Sequence, residues 1–140
     1  MDGMQRYIKY DIEFGLAICV ACQSGIPADH VLRHFRMYHK PTWKEHRKAL
    51  TEYVATLRLT ATKDLYYPEE IREAVDGLKI KDGWSCGEDG CTTCGISDKY
   101  VENHCRNEHG KNAVQRKAWY ECRMQTLLGH PYIKYVYVCF

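Results

Sequence analysis

A motif of two cysteines followed by two histidines occurs twice in this chain of 140 residues. The first copy has the spacing C-x2-C-x11-H-x4-H, and the second has the spacing C-x4-C-x12-H-x4-H. Residues 25–39 and 95–109, which carry the histidine pairs, align without a gap and share six identical positions. Thiolates and imidazoles are ligands of structural zinc, which takes four of them in a tetrahedron. The repeat therefore predicts two structural zinc sites, with two Zn²⁺ per chain as the cofactor.

The ligands follow from the spacing of the pairs. The predicted ligands of site 1 are Cys19, Cys22, His34 and His39, and those of site 2 are Cys86, Cys91, His104 and His109.

Two alternatives remain open. His30 and His34 form another histidine pair at i, i+4, but in the repeat His39, and not His30, aligns with a histidine. Cys94 is an alternative to Cys86, although Trp84 then loses its place two residues before the first ligand, where such fingers keep an apolar residue.

Each histidine pair is expected on a helix. Pro27 and Ser97 suit the start of a helix, and Val31 and Val101 stand three places before the first histidines, on the inner face. Because a pair at i, i+5 diverges by about 140° on an ideal helix, we expect each helix to tighten or unwind at its second histidine.

The 46 residues between His39 and Cys86 are too many for a short linker. Thr42 and Glu45 read as a capping box that opens a helix over residues 42–59. Its apolar residues recur at helical spacing, which favours a core face over a partner groove. These residues are Trp43, Leu50, Tyr53, Val54 and Leu57. A second short helix is expected over residues 69–75.

The C-terminal segments 119–128 and 132–140 are rich in aromatic and β-branched residues, and residues 129–131 read as a hairpin turn. The last strand is apolar on both faces and must be covered. Residues 7–10 and 16–20 are candidate partners, as are a further domain and a second copy in a homo-oligomer.

The predicted fold is α+β: a small zinc-stapled domain with two ββα-like C2H2 fingers, a helical segment between them and a C-terminal β-hairpin. Its parts are the N-terminal strand with finger 1 (1–40), the helical connector (41–82), finger 2 (83–111) and the hairpin (112–140), which form one compact unit. The first residues show no signal peptide, which favours an intracellular protein with free thiols at Cys94, Cys105, Cys122 and Cys139.

Charge is small overall but uneven along the chain. The formal net charge is +2, and the mean hydropathy of −0.52, without a long apolar run, predicts no membrane partner. Residues 64–76 carry five acids. Residues 28–48 are basic and are the candidate contact with the phosphates of DNA or RNA. The candidate residues are Arg33, Arg36, Lys40, Lys44, Arg47 and Lys48.

The order of these motifs resembles that of the fungal OrsD-like family, named after orsellinic acid biosynthesis cluster protein D. The resemblance lies in LAICVACQSGIPADHVLRHFRMYH, in GLKIKDGWSCGEDGC, and in a tail with Trp119, residues 124–126 and the apolar strand 132–140. It implies that the eight residues of sites 1 and 2 are zinc ligands, and it supplies no catalytic residue. Some larger members of the family carry helicase-like regions, which links the family to DNA by association alone.

The sequence favours a structural-zinc module that is associated with nucleic acid or chromatin in the nucleus. The alternative is a module for protein–protein interaction or scaffolding, in which the zinc sites only stabilise the fold. An enzyme is not expected, because a closed tetrahedral site leaves no position for water.

Overall fold

Two β-sheets, each with a helix that carries the first histidine of a motif, organise the chain. The computed structural model describes residues 3–68, 70–71, 73–88, 90–115, 119–129 and 132–138. These residues belong to two compact units. The first comprises 1–66, 76–78 and 127–133, and the second comprises 67–75, 79–126 and 134–140. The predicted α+β class is confirmed, and the described residues form two sheets and a few helices.

The sheet of the first unit is antiparallel and has the order β1-β2-β3. Its strands are β1 (Ile8–Asp11), β2 (Leu16–Cys19) and β3 (Ser24–Ile26). All four residues of the central strand β2 are buried. A single 3-10 turn, Ala28–His30, leads into α1 (Val31–Tyr38), and α2 (Lys40–Ala55) follows directly.

The apolar stripe of α2 packs into the core of the first unit, as its helical spacing predicts. Leu50 is completely buried in a cluster with Ile8, Val31 and Phe35. The remaining residues of the stripe, Trp43, Tyr53, Val54 and Leu57, are partly buried against the same cluster. The stripe is therefore a core face and not an open groove.

The predicted start of this helix was wrong. No side chain caps α2, which begins at Lys40 with Pro41 in its first turn, so that Thr42 lies inside the helix. Proline is well suited to a first turn, because its fixed φ is helical and its missing N–H would have no partner there. The helix therefore starts with a proline in its first turn and not with the predicted capping box. It ends at Ala55 rather than at Leu59.

The sheet of the second unit has five strands in the order β4-β8-β7-β5-β6. These are β4 (Glu70–Ile71), β5 (Lys81–Cys86), β6 (Cys94–Gly95), β7 (Trp119–Thr126) and β8 (Tyr135–Val138). Helix α3 spans Asp98–Gln115. Strands β7 and β8 pair antiparallel, as expected of the two C-terminal segments, and β8 lies between β7 and β4. Both strands are shorter than predicted, and residues 130–131 of the expected turn lie outside the described residues. The expectation of partners from residues 7–10 and 16–20 was wrong, since those segments pair with each other.

The helix expected over residues 69–75 was also wrong. Residues 70–71 form β4, parallel to β8, while Glu69 and Arg72 lie outside the described residues. The backbone of Val75 finds its partners in a buried side chain. Its N–H donates to Gln125 Oε1 at 2.9 Å, and its carbonyl accepts from Gln125 Nε2 at 3.0 Å. Because Gln125 satisfies both backbone groups of Val75, that residue needs no helix to pair them.

Gly25 and Gly95 are equivalent in the repeat, but they stand in different surroundings. A Cβ on Gly25 would overlap the backbone carbonyl oxygen of Leu127, whereas a Cβ on Gly95 would meet the ring of Tyr100 at 2.7 Å. The Tyr100 side chain is 58% exposed and can move aside, but the backbone at Leu127 cannot.

We expect Gly25→Ala to lower the free energy of unfolding by about 1–3 kcal/mol or more, because the core must shift to admit the methyl group. Gly95→Ala is expected to cost clearly less. Urea denaturation of the two variants and the parent protein measures the difference. Equal effects of the two changes would contradict the close approach at Gly25.

Candidate metal centres

Site 1 is built at the end of β2 and on α1. Cys19 is the last residue of β2 and is 1% exposed, and Cys22 lies in the turn that leads to β3. That turn is closed by the Gln23 N–H, which donates to the Cys19 carbonyl at 2.8 Å. Gln23 has a φ of 55°, which reverses the chain tightly. The reversal and the helix bring both sulfurs to the face from which His34 and His39 project.

The four ligand atoms of site 1 lie within 4.8 Å of one another and could hold a metal ion. His39 Nε2 is 3.3 Å from Cys19 Sγ, 3.4 Å from Cys22 Sγ and 3.2 Å from His34 Nε2. Cys22 Sγ and His34 Nε2 are 3.8 Å apart. With Zn–S near 2.3 Å and Zn–N near 2.0–2.1 Å, a tetrahedron separates sulfur from nitrogen by roughly 3.5 Å and nitrogen from nitrogen by roughly 3.3 Å. The geometry fits such an ion.

The chain leaves the helical conformation at the second histidine of site 1, as the i, i+5 spacing predicts. His39 has φ −131° and ψ 57°, although its N–H still donates to the Phe35 carbonyl at 3.0 Å. In site 2 the break comes one residue later. Helix α3 continues through His109, and the backbone turns at Gly110, where φ is 81°. Glycine adopts this left-handed conformation without steric cost.

Site 2 is assembled from the end of β5, the following loop and α3. Its four ligand atoms also lie within 4.8 Å of one another. Cys91 Sγ is 3.2 Å from His104 Nε2, and the rings of His104 and His109 are 5.1 Å apart. His109 Nε2 is buried and has no hydrogen-bond partner among the described residues. A buried polar atom without a partner is costly, and a metal ion would satisfy it.

The alternative ligands lie outside both groups. Cys94 lies in β6, opposite Ser85. Trp84, two residues before Cys86, packs against the buried cluster that contains Cys86, which agrees with its expected place in the motif. His30 Nε2 lies 3.9 Å from the carboxylate of Asp29 instead. Val31 and Val101, expected on the inner helix faces, are 1% and 0% exposed.

Cys105 is a neighbour of site 2 that sequence reasoning missed. Its buried sulfur lies 3.7 Å from Cys86 Sγ, at the position where the first motif has Phe35. The spacing contained a signal, because Cys105 follows Val101 by four residues and so shares its inward face. Cys94 and Cys122 are also free thiols and are partly buried, while Cys139 lies outside the described residues.

Without a metal, the two thiols of site 2 differ in acidity. Burial raises the pKa of Cys86 to about 12, helped by hydrogen bonds with Cys105 and Cys91. Burial also opposes ionisation of Cys91, but hydrogen bonds from Thr93, together with the neighbouring imidazoles of His109 and His104, outweigh it and lower the pKa of Cys91 to about 6. In site 1, burial and the neighbouring Cys19 raise the pKa of Cys22 to about 11. A divalent cation would deprotonate the remaining thiols, because coordination favours the thiolate.

The six candidate phosphate contacts of the first motif define what we call the basic face. They comprise Arg33 and Arg36 of α1 and Lys40, Lys44, Arg47 and Lys48 of α2. All six are exposed, and none forms an ion pair with any residue in the described part of the chain. In the second motif, by contrast, Lys99 and Arg106 lie 3.5 Å and 3.4 Å from the carboxylate of Glu102.

Comparison with known proteins places the chain in a family. The family model described as "Orsellinic acid/F9775 biosynthesis cluster protein D" matches residues 6–110. The chain belongs to this OrsD family. The matched region contains all eight candidate ligands and ends one residue after His109, so the C-terminal tail lies beyond it.

One similar protein is the orsellinic acid/F9775 biosynthesis cluster protein D of Emericella nidulans. It is 28% identical over 108 residues, which cover 77% of this chain and 21% of the relative. The chain thus spans about a fifth of the relative's length. No solved structure matches it. In the part of the chain that is described, no helix combines the length and apolar character that a membrane crossing requires.

Proposed function

We propose that the chain is a structural-zinc module that binds nucleic acid through the basic face of its first motif. The observation that carries the proposal is the state of the six cations of that face. They are exposed and, within the described structure, no carboxylate neutralises them. Lys and Arg side chains in this state are available to phosphates, and phosphate contacts dominate the affinity of nucleic-acid-binding proteins.

The metal in this proposal is zinc. Two thiolates and two imidazoles in a tetrahedron are a donor set that suits Zn²⁺, and a filled tetrahedron leaves no coordination position for water. The sites then stabilise the fold without catalysing a reaction, so the module is not an enzyme. A nuclear location accords with this role.

The proposal predicts binding that depends steeply on salt. Neutralising Arg33, Arg36, Lys44 and Arg47 together should weaken binding to all sequences. It should also flatten the plot of log K against log [salt] by up to about four units, because each lost phosphate contact removes roughly one released counterion. Fluorescence polarisation with mixed-sequence DNA and RNA at stepped salt concentrations measures both quantities.

The repeat offers a matched control for this experiment. Arg33→Gln/Arg36→Gln should flatten the slope by about two units, whereas Lys99→Gln/Arg106→Gln should leave it nearly unchanged. Neither pair contains a candidate ligand, so metal content should stay constant. If the folded, metal-loaded protein binds neither DNA nor RNA at low salt, the module is one for protein interaction and the proposal fails.

A further inference from the structure

A groove lies beside site 1 on the first unit, where α1 faces Gly129 and Tyr132. Its volume is about 580 Å³. We call it the tyrosine groove, and the lining residues that matter to the argument are Pro27, His30, Arg33, Met37, Tyr38 and Tyr132. No Asp or Glu lines it in the described part of the chain.

The groove wall that contains Gly129 and Tyr132 follows two buried residues of the first unit. Leu127 and Leu128 are 0% and 1% exposed, and Leu128 forms a parallel bridge with Gly25 of β3. The absence of a side chain on Gly25 allows this close approach. Beyond the bridge, the Tyr132 N–H donates to the Gly129 carbonyl at 2.9 Å. The groove is thus built on the same contact that makes Gly25 intolerant of a methyl group.

Aromatic and thioether side chains are unusually open to solvent here. Tyr38 is 71% exposed, Met37 46% and Tyr132 39%, while the exposed Arg33 lies in the same lining. Burying such side chains against a flat apolar surface is favourable, and a nucleobase offers one on each side. A guanidinium beside the rings supplies a partner for the phosphate that accompanies each base.

The second motif lacks these features. At the positions of Arg33, Met37 and Tyr38 it has Asn103, Asn107 and Glu108. The grouping of an arginine, a methionine and a tyrosine in one groove therefore belongs to the first motif, although the two helices share a common pattern. The exposed Tyr100 of the second motif aligns with His30 and not with Tyr38.

We propose that the tyrosine groove receives an unpaired base of single-stranded DNA or RNA, which stacks on Tyr38 and Tyr132 while Arg33 and Arg36 contact the flanking phosphates. This rests on the proposed function and gives its ligand class. A base must leave the stack to enter a concave groove, which a single strand permits and a duplex resists. Helix α1 has only eight residues, and α2 follows it directly, so it does not offer the long free helix end that reads a major groove.

The test compares a fluorescent mixed-sequence 20-mer, as DNA and as RNA, with the duplex of the same sequence. Zinc-loaded protein should bind the single strand at least tenfold more tightly than the duplex. Tyr38→Ala/Tyr132→Ala should weaken single-strand binding by roughly ten- to a hundredfold, because each stacked base is worth roughly 1–3 kcal/mol. The salt slope should stay unchanged, since no charge is removed, and Tyr38→Phe/Tyr132→Phe should keep most of the affinity.

The exposed Tyr100 of the second motif provides the control, and Tyr100→Ala should leave binding unchanged. Equal affinity for single strand and duplex, together with full binding by the Tyr38→Ala/Tyr132→Ala protein, would overturn the groove proposal. The proposed function would survive that result if the charge variants still lost affinity. Absence of all binding by the folded parent protein would overturn both, and would point to a protein partner for the groove.

Discussion

Purified protein is expected to contain two zinc ions per chain, and a strong chelator is expected to unfold it. Each site draws its ligands from separate elements, such as β2 and α1 in site 1. A structural zinc ion in a module of this size contributes folding free energy on the order of 10 kcal/mol per site. The usual stability of a small domain is about 5–15 kcal/mol. The loss of both ions therefore removes more free energy than the folded chain can spare. Elemental analysis and circular dichroism before and after chelation measure the two effects.

Single substitutions should separate ligands from bystanders. Cys91→Ser should remove one ion per chain, because it takes away one of the four candidate ligands of site 2. The same site contains His109 Nε2, which is buried and has no hydrogen-bond partner among the described residues. Cys94→Ser is the matched control in the neighbouring strand and should leave both ions bound. A protein with one ion or none and an intact fold would contradict the metal assignment. Loss of an ion in Cys94→Ser but not in Cys91→Ser would transfer the ligand role to Cys94.

Leu50→Ala should lower the free energy of unfolding by about 2–5 kcal/mol, the usual cost of a large-to-small change at a buried site. Leu50 is 0% exposed and contacts the cluster that includes Val31 and Phe35 of α1. The cavity would therefore open directly beneath the helix that supplies the histidines of site 1. Denaturation in urea, with zinc present throughout, measures the loss.

Two further substitutions serve as comparisons for Leu50→Ala. Leu57→Ala should cost less, because Leu57 is only partly buried, and the exposed Glu52→Ala should cost little. If α2 were a flexible tether, Leu50→Ala would leave the melting temperature nearly unchanged. Trypsin would then cut the zinc-loaded protein rapidly after Lys44, Arg47 or Lys48.

The two motifs share a pattern, but the structure gives them different surroundings. In the first, Phe35 fills the core and the cations stand open to solvent, whereas in the second, Cys105 approaches Cys86 and Glu102 pairs with both neighbouring cations. If zinc holds both helices, the first motif is the one left free to bind a partner. For this reason we propose that nucleic acid binds to that motif.

Much of the fold was predictable from local chemistry. The Cys/His spacing identified the residues that the structure gathers into two groups, since a tetrahedral ion demands four ligands at a common point. Helical periodicity identified Leu50 and its neighbours as a core face, and β-branched and aromatic residues identified the strands of the C-terminal hairpin. These features are periodic or closely spaced, so they are visible without knowledge of distant partners.

Other features were decided by partners that are distant in sequence, and only the tertiary structure shows them. Residues 70–71 form a strand because they pair with the backbone of β8. Gln125, fifty positions away in the sequence, hydrogen-bonds to the backbone N–H and carbonyl of Val75. Cys105 meets Cys86, and Tyr132 reaches the neighbourhood of site 1, because of packing that no local pattern encodes. The sequence by itself thus determined which residues could bind metal, which face of α2 enters the core and which C-terminal segments form strands. The tertiary structure decided how the strands pair, which cations stay free and where a groove opens, because each of these depends on contacts between segments that local propensity does not specify.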